Sequence, residues 1–507
     1  MSTTALWLGI AIYLAVALLV AWLSRSDDTN SPLAGMEGYF LGARRMGGFV
    51  SALSYSATTY SAFMLVGLAG LTYAGGVGAL GFEIVYFAGV SLVAVFGPRF
   101  WAVGKAFGYI TPSEMLGHRY DSKAVAVATA LACCLFLIPY AAVQLAGVGY
   151  LLSGMSNGAV SFTTGTILAT ALALLFSLIA GVRSVMWTDS LQALFMIVTA
   201  TLVALLVVSH LGGFAVLFDA LSQVDGQVLA MPGPGFFSFA TFLGLTVPWF
   251  FFSLSNPQVS QRLFMPKSMR ALRQMLIGFL VFGFIYTLVS VLWGFSALVA
   301  FPGLEKADLA TPTLLGSVYV PPVLGIIVMI GIIAAAVSTI DSIMLTLSSM
   351  VSRDVYAHTA GGRDEARQLR LGKWMLPVIA IVAFVFAQLQ LNLIAVLSVA
   401  ASTGLAVTVP AIIGAFFWRR GTAAGALLSI VGGGAIVLFL YLSKLTPLGF
   451  NAGVWVLPVS TLLFVVGSLV TAAPRERARQ FLQRANAHSA PASDAADILA
   501  DASASAS

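Results

Sequence analysis

Asp189 and Asp341 stand inside long apolar stretches of a chain that has only nineteen acidic residues. Asp189 lies in VMWTDSLQALFMIVTATLVALLV and Asp341 in GIIVMIGIIAAAVSTIDSIMLTL. A carboxylate at membrane depth is costly, so each is expected to face a cavity, an ion or a partner charge. Asp341 also closes a hydroxyl-rich string, Ser338, Thr339, Asp341 and Ser342, on a segment opened by three alanines. Oxygen ligands, small neighbours and negative charge together describe a site for a hard cation such as sodium. A cluster of helix–helix hydrogen bonds is the competing reading, since Ser, Thr and Ala are common where membrane helices meet.

The elements that must position these groups follow from composition. The 507 residues are 59% hydrophobic and 9% charged, with mean hydropathy +0.98. Soluble globules carry about 25% charged residues. Apolar windows of about 20 residues recur almost end to end, which predicts an all-α polytopic membrane protein embedded in a lipid bilayer. Leu6 to Leu23 follows MSTTA, with no basic region and no A-x-A site after it, and reads as a retained helix rather than a signal peptide. Cys133 and Cys134 are adjacent within one helix, and His118, His210, His358 and His488 fall in loops or the tail, so neither a disulfide framework nor a histidine metal centre is expected.

About thirteen spans are expected, at 5–23, 48–73, 79–101, 124–150, 162–181, 186–209, 237–258, 274–300, 317–348, 374–391, 393–417, 423–443 and 452–472. With that count, 23 of the 25 basic residues, Arg25, Arg262 and Arg363 among them, fall in connections on one face, and only Lys306 and Lys444 on the other. The asymmetry predicts an outside N-terminus and a cytoplasmic C-terminus in the plasma (inner) membrane. The net charge of +6 is then a topology signal, and nucleic-acid binding has no support. Residues 1–473 are expected to form the transmembrane domain, and 474–507, rich in Ala and Ser, a cytoplasmic tail that is disordered or a short helix.

Two spans look interrupted. SALSYSATTYSAFMLVGLAGLTYAGG has a polar middle and several glycines, and FATFLGLTVPWFFFSLSNPQ is broken by Pro248 and Pro257. Breaks at matching places in two halves point to inverted repeats, here 48–209 and 237–418, around a site at mid-depth. Unwinding frees backbone carbonyls for a cation and aims half-helix ends at a substrate.

With these features on the page, EGYFLGARRMGGFVSALSYSATTYSA, GVRSVMWTDSLQA, SNPQVSQRLFMPKS and AAAVSTIDSIMLTLSSMVSRDVY resemble the sodium:solute symporter family over about residues 5 to 475. The resemblance implies a LeuT-type 5+5 inverted repeat with extra N- and C-terminal helices, and Na+ as the coupling ion. It implies a main sodium site from the carbonyls of Ala57, Tyr60 and Ala335 and the hydroxyls of Ser338 and Thr339. Ala335, Ser338 and Thr339 are spaced i, i+3 and i+4, on one helix face. A second sodium site is implied at Asp189, Ser338, Asp341 and Ser342, where Asp341 stands in place of a Ser; sodium number and proton participation stay open. The implied substrate pocket is lined by Thr59, Ser61, Glu83, Tyr140, Gln144, Trp249, Ser253 and Asn256. Glu83 as a solvated charge at a helix end, and Trp249 with Phe250, Phe251 and Phe252 as a lipid-facing aromatic belt, are the competing readings. No fixed basic residue is expected at mid-depth.

The leading expectation is a secondary active symporter that uses the sodium gradient to bring a small organic solute into the cell, with a single chain as the functional unit. A proton-coupled transporter of the same fold is the near alternative. A channel would want a repeated pore loop, and a membrane sensor a signalling domain for which the tail is too short. An enzyme is not expected, since no Ser/His/Asp set, metal motif or nucleotide loop is present.

Overall fold

The computed structural model describes residues 3–24, 35–235, 237–359, 364–390 and 394–487. Arg25, Arg363, His488 and the tail from 488 to 507 lie outside the described residues. The described chain is helical throughout its spans: α1 (Thr3–Ser24), α2 (Gly48–Thr59), α3 (Phe63–Gly75), α4 (Gly78–Phe107), α5 (Pro112–Arg119), α6 (Lys123–Met155), α7 (Phe162–His210), α8 (Phe214–Val224), α9 (Phe239–Phe250), α10 (Met269–Ala300), α11 (Pro322–Met350), α12 (Glu365–Ala387), α13 (Ile394–Phe417), α14 (Ala423–Ser443), α15 (Ala452–Val470) and α16 (Arg475–Asn486).

Side-chain caps start many of these helices. The hydroxyls of Thr111, Ser122, Ser161, Ser238 and Ser268 each accept a backbone N–H three residues on, and Asp364 does the same for α12. Among the described residues, nine helices are long and apolar enough to cross a membrane, and a tenth if the bent pair α2–α3 counts as one span. Shorter apolar helices at Thr4–Leu19, Phe162–Leu178 and Phe239–Phe250 stand beside them, so length and composition do not fix the expected thirteen. The expected fifth and sixth spans are one helical run, α7, marked by Gly181 at φ +62°. That left-handed position suits glycine, and an added Cβ would meet the Tyr39 carbonyl at 2.7 Å.

The core is central. α11 packs against α7, α6, α12, α1 and α2, and α10 against α2, α3, α4 and α7. Large apolar side chains such as Leu8, Ile12, Leu131, Leu135, Phe284 and Leu462 face outward, a surface that matches lipid and not water.

Both interruptions appear, each with a local cause. The hydroxyls of Ser56 and Thr59 donate to the carbonyls four residues back, Ala52 and Tyr55, which favours bending. At Tyr60 the backbone leaves the helical region (φ −93°, ψ 72°), and α3 restarts at 47° to α2. After α9, Asn256 is extended (φ −83°, ψ 112°), as the residue before a proline prefers, and Pro257 opens a new turn.

Two expectations are corrected. Arg262, counted among loop charges, is 2% exposed, because the break at Asn256 turns the chain back into the bundle. Arg119 is fully buried, its guanidinium donating at 2.9 Å to the carbonyls of Ala415 and Trp418 at the end of α13, where a helix terminus attracts a cation. Of the two readings of the tail, its start takes the short helix: α16 docks with Phe481 fully buried against Phe107 and Phe416.

Candidate functional site

The break in α2 places its unwound backbone against the hydroxyl face of α11. Thr339 Oγ1 stands 3.1 Å from the Ala335 carbonyl, 3.3 Å from that of Ala57 and 3.4 Å from that of Thr58. One hydroxyl hydrogen cannot serve three carbonyls at once, so the cluster is rich in neutral oxygens. The Ser338 hydroxyl is buried, with the Asp189 carboxylate as its neighbour. Tyr60 terminates the helix beside this cluster, its ring packed on Phe279 and Phe282. The donor set suits a sodium-sized hard cation.

Next to it lies a charged cluster. Asp189 Oδ2 accepts from Ser54 Oγ at 2.8 Å and from Arg262 Nη2 at 3.3 Å. Arg262 Nη1 donates to Ser54 Oγ at 2.7 Å, and Nη2 to Ser342 Oγ at 2.5 Å. Ser342 Oγ also lies 3.1 Å from Thr58 Oγ1 and donates to the Ser338 carbonyl at 2.9 Å. The Ser338 hydroxyl is a further neighbour of the Asp189 carboxylate. Asp189, Ser338 and Ser342 are therefore brought together. Asp341 is held elsewhere, accepting from Ser177 Oγ of α7 at 3.0 Å. The expectation that no basic residue reaches mid-depth fails at Arg262, which arrives on a turn that follows a broken helix and reads in sequence as any loop arginine.

The pocket residues gather on the other side of the break. Glu83 is 1% exposed and its Oε2 accepts from Trp249 Nε1 at 3.3 Å, which removes the reading of a solvated charge. Trp249 and Phe252 are buried too, not lipid-facing, while Phe250 and Phe251 are half-buried. The indole packs on Phe63, Phe82, Tyr86 and Phe252 at centroid distances of 4.6 to 5.9 Å. Ser253 Oγ donates to Tyr86 Oη at 3.3 Å, and Tyr140 meets Phe252 edge-on. The side-chain amides of Gln144 and Asn256 are fully buried with no partner among the described residues. Thr59 and Ser61 spend their hydroxyls locally, on the Tyr55 carbonyl and the Phe63 amide. Sequence reasoning missed Ser54, Phe63, Tyr86 and Ser177 as well as Arg262. Ser54 and Tyr86 carried the signal of polar groups on spans already singled out.

A family model described as the sodium:solute symporter family matches residues 39–433. The chain belongs to that family. It is accordingly a membrane transporter and not an enzyme. The osmoregulated proline transporter OpuE of Bacillus subtilis (strain 168) is 26% identical over 479 residues, covering 92% of this chain and 94% of the relative. A sodium/pantothenate symporter of Escherichia coli (strain K12) is 27% identical over 437 residues, covering 85% and 89%. In three dimensions the family member resembles a Na+-coupled sialic acid symporter solved in a substrate-bound outward-open state, with TM-score 0.78 at 18% identity, covering 93% of this chain and 99% of that one. A nucleobase-cation-symport-1 family transporter in a closed conformation follows at TM-score 0.55 and 14% identity. These likenesses give the fold: an all-α polytopic bundle of LeuT type.

Proposed function

We propose that this chain is a sodium-coupled symporter that brings a small organic solute into the cell across the plasma membrane. The observation that carries the reading is the cluster of Ala57, Ala335 and Thr339 oxygens at the break in α2. Ala57, Tyr60, Ala335, Ser338 and Thr339 hold the ion, and the same break lines the solute pocket, so ion and solute load on one discontinuous helix. Filling the ion site fixes the α2–α11 contact, which in turn fixes the pocket wall at Thr59 and Ser61; binding of one favours binding of the other.

In this reading Glu83, Tyr140, Gln144, Trp249, Ser253 and Asn256 hold the solute. Glu83 accepts its donors, the buried amides serve both donors and acceptors, and the Trp249 ring covers an apolar face. The relatives' names include proline and pantothenate carriers, which supports a small organic solute. The two repeats are 48–209 and 237–418, the basic end of the bundle is cytoplasmic, and one chain carries both sites complete.

Proton coupling has one observation of its own. Asp341 is 2% exposed, takes a hydrogen bond from Ser177, and forms no ion pair with a basic side chain among the described residues. Purified protein in proteoliposomes, screened with labelled amino acids, monocarboxylates, pantothenate and sugars, tests both readings. Accumulation driven by an inward sodium gradient and lost when potassium replaces sodium is expected. Accumulation driven by a proton gradient, and indifferent to sodium at fixed pH, would overturn it.

A further inference from the structure

The oxygens that a second sodium ion would need are already turned to a cation that belongs to the chain. We propose that the Arg262 guanidinium is the fixed counter-charge of Asp189 and that this symporter therefore binds one sodium ion per chain, not two. The inference rests on the sodium-coupled reading above.

Three helices converge on Arg262. Ser54 comes from α2, Asp189 from α7 and Ser342 from α11, and each accepts from the guanidinium at 3.3 Å or less. A guanidinium has donors only, so every contact occupies a lone pair. Ser342 Oγ uses its own hydrogen on the Ser338 carbonyl. Asp189 Oδ2 receives both Ser54 and Arg262, and the Ser338 hydroxyl neighbours the same carboxylate. Arg262 and Asp189 are 2% and 1% exposed, so each charge is balanced by the other and not by solvent.

A second sodium on Asp189 would sit against the guanidinium in this dry cluster, two positive charges facing one carboxylate. Asp341, the acid on α11, accepts from Ser177 on α7 and makes no hydrogen bond to Arg262 among the described residues. The Asp189 carboxylate instead lends negative charge to Ser338 and through it to the ion site formed with Thr339. Arg262 is thus a positioning residue: it sets how many ions bind without touching the one that does.

Equilibrium binding of 22Na+ to the purified full chain in detergent, with sodium-dependent melting temperature alongside, tests this. One ion per chain is expected for the native protein and for Arg262→Lys, which keeps the charge. Arg262→Gln strips Asp189 of its counter-charge and is expected to bind two, with a steeper rise of melting temperature with sodium. Adding Asp189→Asn to Arg262→Gln should restore one. Two ions on the native protein, or one on Arg262→Gln with unchanged sodium dependence, overturn the inference. Should Arg262→Gln not fold, the reversal potential of native transport in proteoliposomes decides: one charge per neutral solute supports it and two overturn it. No sodium bound by the native chain would remove the sodium-coupled reading itself, a result distinct from two.

Discussion

Removing the Thr339 hydroxyl tests the ion site most directly. In the fold this hydroxyl is the point where α11 meets the unwound part of α2, within 3.1 to 3.4 Å of three carbonyls. Thr339→Ala leaves the helix intact, because Ala has the higher helix propensity, and deletes one oxygen from the shell. A contact of hydrogen-bond strength to a charge is worth about 1.5–3 kcal/mol. At about 1.4 kcal/mol per factor of ten, the sodium concentration for half-maximal uptake should rise by about tenfold to about a hundredfold. Ser338→Ala should act in the same direction, since its buried hydroxyl stands one helical residue from Thr339 and links the Asp189 carboxylate to the same site. Thr339→Ser keeps the oxygen and should stay within a few-fold of the native value. The assay is uptake of the identified solute in proteoliposomes at graded sodium, with 22Na+ binding as a check independent of turnover. Unchanged sodium dependence in both alanine variants, at normal yield and melting temperature, refutes the assignment.

Cysteine placed at Lys306 should react with an impermeant thiol reagent from outside intact cells and cysteine at Arg367 should not; the opposite pattern inverts the topology. Gly283 has no room for a Cβ, which would fall 2.0 Å from Tyr60 Oη, so Gly283→Ala should lower the melting temperature and raise the sodium requirement by displacing Tyr60, at an overpacking cost of about 1–3 kcal/mol. Gly434→Ala, whose added carbon meets only Phe136 at 3.8 Å, should leave both unchanged. At the basic end, His118 Nε2 accepts from Arg477 of α16 at 3.0 Å while Nδ1 pairs with the Tyr109 hydroxyl. Burial first, and then Arg477, push the His118 pKa down from 6.5 to about 4, partly opposed by Asp121. The neutral ring therefore favours the docked helix above about pH 6.5, and that contribution should fade as pH falls toward 4. Protease accessibility of α16 should rise over that window in the native chain, and His118→Gln should flatten the response.

The sequence by itself determined the class of molecule and pointed to most residues of the candidate ion site. Apolar length, the proline at 257 and the hydroxyl-rich middle of the second span are local properties, and local properties decide where helices form and where they break, whereas Pro248, also expected to interrupt its span, lies inside α9. The i, i+3, i+4 spacing of Ala335, Ser338 and Thr339 fixes a shared face whatever surrounds it. Tertiary structure decided which groups meet. Arg262 and Asp189 lie 73 positions apart, and nothing in SNPQVSQRLF distinguishes an arginine folded inward from one left in a loop. Glu83 reads equally well as a solvated helix end until α9 brings Trp249 onto it across 166 positions. Asp341 sits one residue from Ser342, yet successive helical residues point about 100° apart, so Ser342 faces Arg262 while its neighbour faces Ser177. Periodicity assigns a side chain to a direction; only the packing of α2, α7 and α11 assigns that direction a partner, and with it the charge of the site.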